Sequence, residues 1–258
     1  MSKTTRFLAW LTVAALLLGA GVASAQGGAA AAASGKRSMT VTLDGAGGPA
    51  SVDVALEIVL LMTVLSLAPA LLILLTSFTR IVIVLGFLRQ ALGTNQMPGN
   101  QILVGLALFM TFVIMSPVIT DVNQNSLQPY LQHQISQGEA FSRAEKPIKA
   151  FMLKQVREKD VALFLELTHR DAPATPSELP LLVVVPSFVI GELKTAFQMG
   201  FVLFIPFLVI DMVVASVLMS MGMMMLPPVM ISLPFKVLLF VMVDGWHLIV
   251  KSLVAAFQ

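Results

Sequence analysis

Four apolar runs, each near or beyond the roughly 20 residues that span hydrocarbon, constrain this chain more than any other feature. The first runs from about Val54 to Ser77 and is interrupted by Pro69. A further apolar stretch, Phe78 to Leu92, carries Arg80 and Arg89, and the turn-rich GTNQMPGNQ follows it (Gly93–Gln101). The second run extends from about Ile102 to Ile119, the third from Leu181 to Ser220 with interruptions at Pro186, Gly200 and Pro206, and the fourth from about Val229 to Phe257. Leu226-Pro227-Pro228 separates the last two. Only 12% of the residues are charged and the mean hydropathy is +0.89. A soluble domain carries about a quarter, so this chain cannot cover a water-facing surface. The expectation is an all-α membrane protein: four long hydrophobic helical segments arranged as broken hairpins, plus a small helical exported loop.

The first 25 residues read as a cleaved signal peptide. Lys3 and Arg6 form the positive start, Phe7 to Leu18 the apolar centre, and Ala23-Ser24-Ala25 the small-residue cleavage site, so the mature chain begins at Gln26. An uncleaved anchor is the competing reading, disfavoured by the short apolar centre. Residues 26–53, rich in Gly and Ala, read as a flexible exported tail. Residues 54–120 then hold segments 1 and 2, residues 121–180 a periplasmic helical loop, and residues 181–258 segments 3 and 4. An external mature N-terminus sends segment 1 inward and places the stretch holding Arg80 and Arg89 on the cytoplasmic side, as the positive-inside rule asks. The 121–180 stretch holds seven Lys/Arg against eight Asp/Glu, with no positive excess. Within it Ile148, Phe151 and Met152, then Val161, Phe164 and Leu165, recur at helical spacing, and Pro147 suits a first helical turn. These stripes fit either a helix pair packing on itself or contacts with neighbouring subunits.

Charges stand inside the apolar runs: Glu192 and Lys194, Asp211, Lys236, and Asp244. Each costs about 2.5–3.5 kcal/mol at the centre of a membrane helix, so each needs a partner or a wet cavity. Asp211 lies nine positions before Ser220 and Lys236 about eight residues into the next helix, which puts them at matched depth in a hairpin. The pair fits a register-fixing ion pair, a subunit-interface pair or a proton-sensitive site. Glu192 fits either snorkelling or an intersubunit salt bridge. Met219, Met221, Met223, Met224, Met225 and Met230 crowd the hairpin tip beside Gly222. Methionine fills irregular gaps, so these side chains fit either core filler or a deformable apolar constriction that gates by dewetting.

Cysteine is absent, and His133, His169 and His247 are scattered, with no HExxH, GxSxG or phosphate-binding loop. No enzyme, no metal and no cofactor is expected, and no run of like charges suggests nucleic acid. A small-solute or ion secondary transporter is the alternative function, motivated by broken helices and buried charges.

SFTRIVIVLGFLRQALGTNQMPGNQ (Ser77–Gln101), PSFVIGELKTAFQMGF (Pro186–Phe201), IPFLVIDMVVASVLMSMGMMMLPP (Ile205–Pro228) and LPFKVLLFVMVDGW (Leu233–Trp246) resemble the FliP/SctR export-gate family of type III secretion. The resemblance covers about residues 54–257, and the signal peptide is similar to that of the flagellar branch. It implies a channel subunit in the flagellar basal body of the bacterial cytoplasmic membrane. That subunit forms a pentamer with FliQ and FliR, works with FlhB and FlhA, and passes unfolded flagellar proteins. It further implies that Met223, Met224 and Met225 act as a methionine gasket. Asp211 and Lys236 match the family's charged positions, and Glu192 looks like an interface residue toward FliQ; Phe151 and Phe164 are subunit-interface candidates from their apolar stripes alone. The family's hairpins rise above the membrane plane, so four hydrophobic segments need not be four conventional spans.

Overall fold

The computed structural model describes residues 59–60, 62–63, 65–67, 69–71, 73–94, 97–223 and 226–257. The signal peptide, the 26–53 tail, the start of segment 1, Met224 and Met225 lie outside the described residues. Among those described the chain is all helix, with no strand.

The central element is α1 (Phe78–Leu92), the stretch that hydropathy treats as a connection. Its Ile81, Val84, Leu85 and Leu88 recur every three or four positions and are almost fully buried. It packs mainly on the long helix α6 (Leu181–Ser220) and also against α2 (Asn100–Val122) and α7 (Pro228–Met242). Arg80 is buried as well, so it does not serve as a free cytoplasmic charge, and the orientation argument loses that support. Arg89, in the last turn, stays partly exposed, and its Nη1 donates to Oδ1 of Asn100 at 2.5 Å, tying α1 to the start of α2 (Asn100–Val122). A π-helical turn at Asn123–Leu127 carries α2 into α3 (Gln128–Leu131), giving one continuous run, Asn100–Leu131.

The middle region forms α4 (Gln137–Gln155) and α5 (Glu158–Leu167). The α4 helix starts earlier than its proline suggests. Ser136 caps it, accepting from the Glu139 N–H at 3.3 Å, and Pro147 sits in its interior. The apolar stripe of α4 and α5 does not pair the two helices with each other. Phe151, Met152 and Leu165 join the main core, and both helices lie on α6.

Helix α6 (Leu181–Ser220) runs 40 residues, about 60 Å, through Pro186 and Pro206 without a break. Gly200 marks the close approach of α1: a Cβ there would lie 2.4 Å from the Phe87 ring, so any larger residue forces that ring to move. The fourth apolar run is two helices, α7 (Pro228–Met242) and α8 (Gly245–Ala255), bent by 64°. Asp244 stands at the bend in a left-handed conformation and is exposed, so the charge falls at a break between helices. Two described helices are therefore long and apolar enough to cross a membrane, or three if the bent pair is one crossing. With the large apolar faces these helices leave exposed, the chain is a membrane protein.

Candidate functional site

The α6–α7 hairpin carries both features singled out in the sequence, an apolar tip and a pair of charges. Helix α6 stops because Gly222 adopts φ +76°, which glycine takes at little cost. The Gly222 N–H then donates to Met219 O and the Met223 N–H to Leu218 O, at 3.1 and 3.0 Å, satisfying the end of the helix. Pro227 and Pro228 start α7, where a missing N–H costs nothing. The side chains of Met219, Met221, Met223 and Met230 are left 40–67% exposed, so nothing in the chain's own core covers them. They are not core filler within a single copy.

Behind the tip, Lys236 Nζ donates to Asp211 Oδ2 at 2.7 Å, joining α7 to α6. The same ammonium donates to Ala91 O at 3.2 Å, one of the carbonyls left without a helical partner at the end of α1. Gly93 closes α1 in a left-handed turn, φ +72°, and lies against this ammonium. Ser232, fully buried one turn before Lys236, donates from Oγ to Asp211 Oδ1 at 2.5 Å. Three helices thus meet at one cation. The Lys236 side chain is 5% exposed and that of Asp211 27%, so the carboxylate keeps an edge toward the outside.

A second polar group lies toward the other end of α6. Arg80 of α1 grips Glu192 with two donors, Nη2 to Oε1 and Nε to Oε2, the latter at 2.9 Å. Its Nη2 also donates to Gln155 Oε1 at 3.1 Å and its Nη1 to Ala256 O at 3.2 Å. The guanidinium sits 3.9 Å above the Phe257 ring centroid. Both charged side chains are within 3% of full burial. Glu192 is thereby enclosed by its own chain. Phe151 is buried between Phe188 and Phe257, with ring centroids 6.0 and 6.1 Å away, and Phe164 is partly buried against the same core.

Sequence reasoning missed Arg80, Gln155 and Ser232. The signal for Arg80 was present: an arginine inside an apolar run costs as much as Asp211 does and needs a partner equally. Ser232 left no such signal, since a lone hydroxyl in an apolar helix can bond its own backbone. Among the described residues no group of three or more His, Cys, Asp or Glu is placed to hold a metal.

A family model described as the FliP family matches residues 61–253. The chain is 60% identical to the flagellar biosynthetic protein FliP of Bacillus subtilis over 209 residues, 81% of this chain and 95% of that protein. It is 56% identical to the Caulobacter vibrioides protein of the same name, over 78% of this chain and 76% of that one. The Aquifex aeolicus protein is 50% identical, over 79% and 86%.

Proposed function

The chain belongs to the FliP family, and from that premise we propose that it is the core channel subunit of the flagellar protein export gate. It conducts unfolded flagellar proteins across the bacterial cytoplasmic membrane during assembly of the flagellum. The observation that carries this reading is the 60% identity to a flagellar biosynthetic protein along 95% of that protein's length. The competing reading, a secondary transporter, gains nothing from such relatives. The work is mechanical and electrostatic, not enzymatic.

On this reading five copies assemble with FliQ and FliR, beside FlhB and FlhA. Residues 1–25 are removed on export, and residues 121–180 face the periplasm. The uncovered methionines at the tip support the gate. An apolar tip is stable at membrane depth only against other protein or around a cavity. Copies meeting around an axis close their tips on one another, and Met223, Met224 and Met225 form the seal. Long, unbranched side chains let that seal part for a passing polypeptide and close behind it. Asp211 and Lys236, anchored to α1 through Ala91, hold the hairpin that carries the tip.

Replacing Met223, Met224 and Met225 together with Ala should leave assembly intact and raise ion and small-solute leakage, while secretion of flagellin persists. Leu at all three positions should seal well and open poorly. The readout is membrane conductance or small-molecule uptake alongside secreted flagellin. A triple-Ala gate that assembles fully and leaks no more than the parent removes the sealing role.

A further inference from the structure

The stretch that joins the second apolar run to α4 is polar without being charged. Of the seven Lys/Arg and eight Asp/Glu in residues 121–180, only Asp121 precedes position 139. No Asp, Glu, Lys or Arg stands from Val122 to Gly138, and seven of those residues are Asn or Gln. A solvated helix face ordinarily carries charge, as α4 does with its Glu139–Arg143 and Glu145–Lys149 pairs. Amides and charges are thus segregated onto different elements.

The fold arranges this polarity as a ladder. Ser116, Thr120, Gln124, Gln128 and Gln132 follow at steps of four along α2, the π-helical turn and α3, and all five are exposed. In an α-helix a step of four overshoots the turn by about 40°, so such a ladder drifts round the helix. The π turn opposes the drift. The Gln128 N–H donates to Asn123 O, five residues back, and in this wider turn a step of four falls short of a full turn. The turn is pinned from behind, where buried Ser126 donates from Oγ to Ala140 O of α4 at 2.6 Å. The ladder rises about 24 Å, the length of about seven residues of extended chain. The side-chain amides of Gln124 and Gln128 are taken by no other group among the described residues, and Gln132 accepts from Gln134 Nε2 at 2.9 Å.

Before Ser116 the same side of α2 is apolar, with Phe109 and Phe112 exposed. Packing against other copies suits that apolar part. A polar ladder on a helix apolar enough to cross a membrane instead needs water or another polar chain.

We propose that the Ser116–Gln132 ladder faces the passage through the assembled gate and is a track for the backbone of the exported polypeptide, whatever its sequence. A side-chain amide both donates and accepts, as the peptide groups of an unfolded chain do, so the match is independent of the passing side chains. The lack of charge matters equally: a Lys or Glu here would hold segments of opposite sign and repel those of its own. The proposal rests on the channel reading above and adds to it the surface that the moving chain touches.

The test uses gates assembled in cells from the full chain and its partners. A photo-crosslinking phenylalanine analogue is placed at position 128, 132 or 223, and export is stalled with a flagellin whose C-terminal end is fused to a domain that does not unfold. The stalled flagellin should crosslink at all three positions. Crosslinks at 223 but at neither 128 nor 132 overturn the track and leave the channel reading standing. Crosslinks at none of the three overturn both. Crosslinks from 128 and 132 to a second copy of this chain alone make the ladder a subunit contact and equally overturn the proposal. Gln124→Glu/Gln128→Glu/Gln132→Glu should lower secretion of an acidic export substrate several-fold, and that of a basic one less, from gates present in the parental amount. Secretion of both substrates at the parental level overturns the track.

Discussion

Arg80→Ala and Glu192→Ala should each destabilise the chain by about 3–5 kcal/mol, the cost of stranding one member of an enclosed ion pair. Both side chains are buried, so neither survivor can reach water. Arg80→Ala also removes the donors to Gln155 and to Ala256 O and the cation above Phe257, so it should be the worse of the two. Arg80→Lys should recover little, because an ammonium cannot supply the fork that grips both carboxylate oxygens. Arg80→Met/Glu192→Met should lose less than either Ala variant, since apolar residues of similar volume avoid the buried charge altogether. Thermal melting of the detergent-solubilised single chain is the check. Single variants that melt with the parent would mean that Glu192 draws its support from another subunit.

The second large effect concerns Asp211 and Lys236. Asp211→Ala leaves the Lys236 ammonium enclosed with only Ala91 O, and should cost about 3–5 kcal/mol. Lys236→Ala leaves a carboxylate that keeps Ser232 and is a quarter exposed, so its cost should fall at or below the low end of that range. The inequality is diagnostic, because a simple loss of one contact predicts equal effects. The Asp211→Lys/Lys236→Asp swap should rescue only in part, since it points a carboxylate at the Ala91 carbonyl. In a double-mutant cycle, the double-Ala variant should be milder than the sum of the singles. Additive costs and equal singles would show that the two charges act independently. Export and assembly should follow the same order, because the pair holds the hairpin that carries the tip.

These two groups also show what a single sequence discloses. Asp211 and Lys236 lie either side of one hairpin, so a rise of 1.5 Å per residue was enough to set them at one depth. Arg80 and Glu192 are 112 positions apart, and no local period connects them. Hydropathy also offered Arg80 a ready explanation as a loop charge, which hid its need for a partner. The same limit applies to α1. Fifteen residues are too few to cross a bilayer, and an arginine near each end makes the stretch read as a connection, although its apolar stripe is almost fully buried. Prolines misled in the opposite direction. Pro186 and Pro206 lie within one helix, while the real break in the fourth run falls at Asp244, where no proline stands. Helical class and the proline-bounded hairpin tip were legible because they depend on composition and short-range turn chemistry. The packing of α4 and α5 on α6 depends on tertiary contacts that periodicity cannot assign to a partner.

The central claim is that this chain is one wall of a channel built from several copies, and its most direct test is a mass. The protein should be purified in mild detergent alone and with FliQ and FliR, and each particle weighed by native mass spectrometry or light scattering. The account predicts a particle holding five copies of this chain, stabilised or enlarged by the two partners. A single copy under every condition, with neither partner bound, would contradict it.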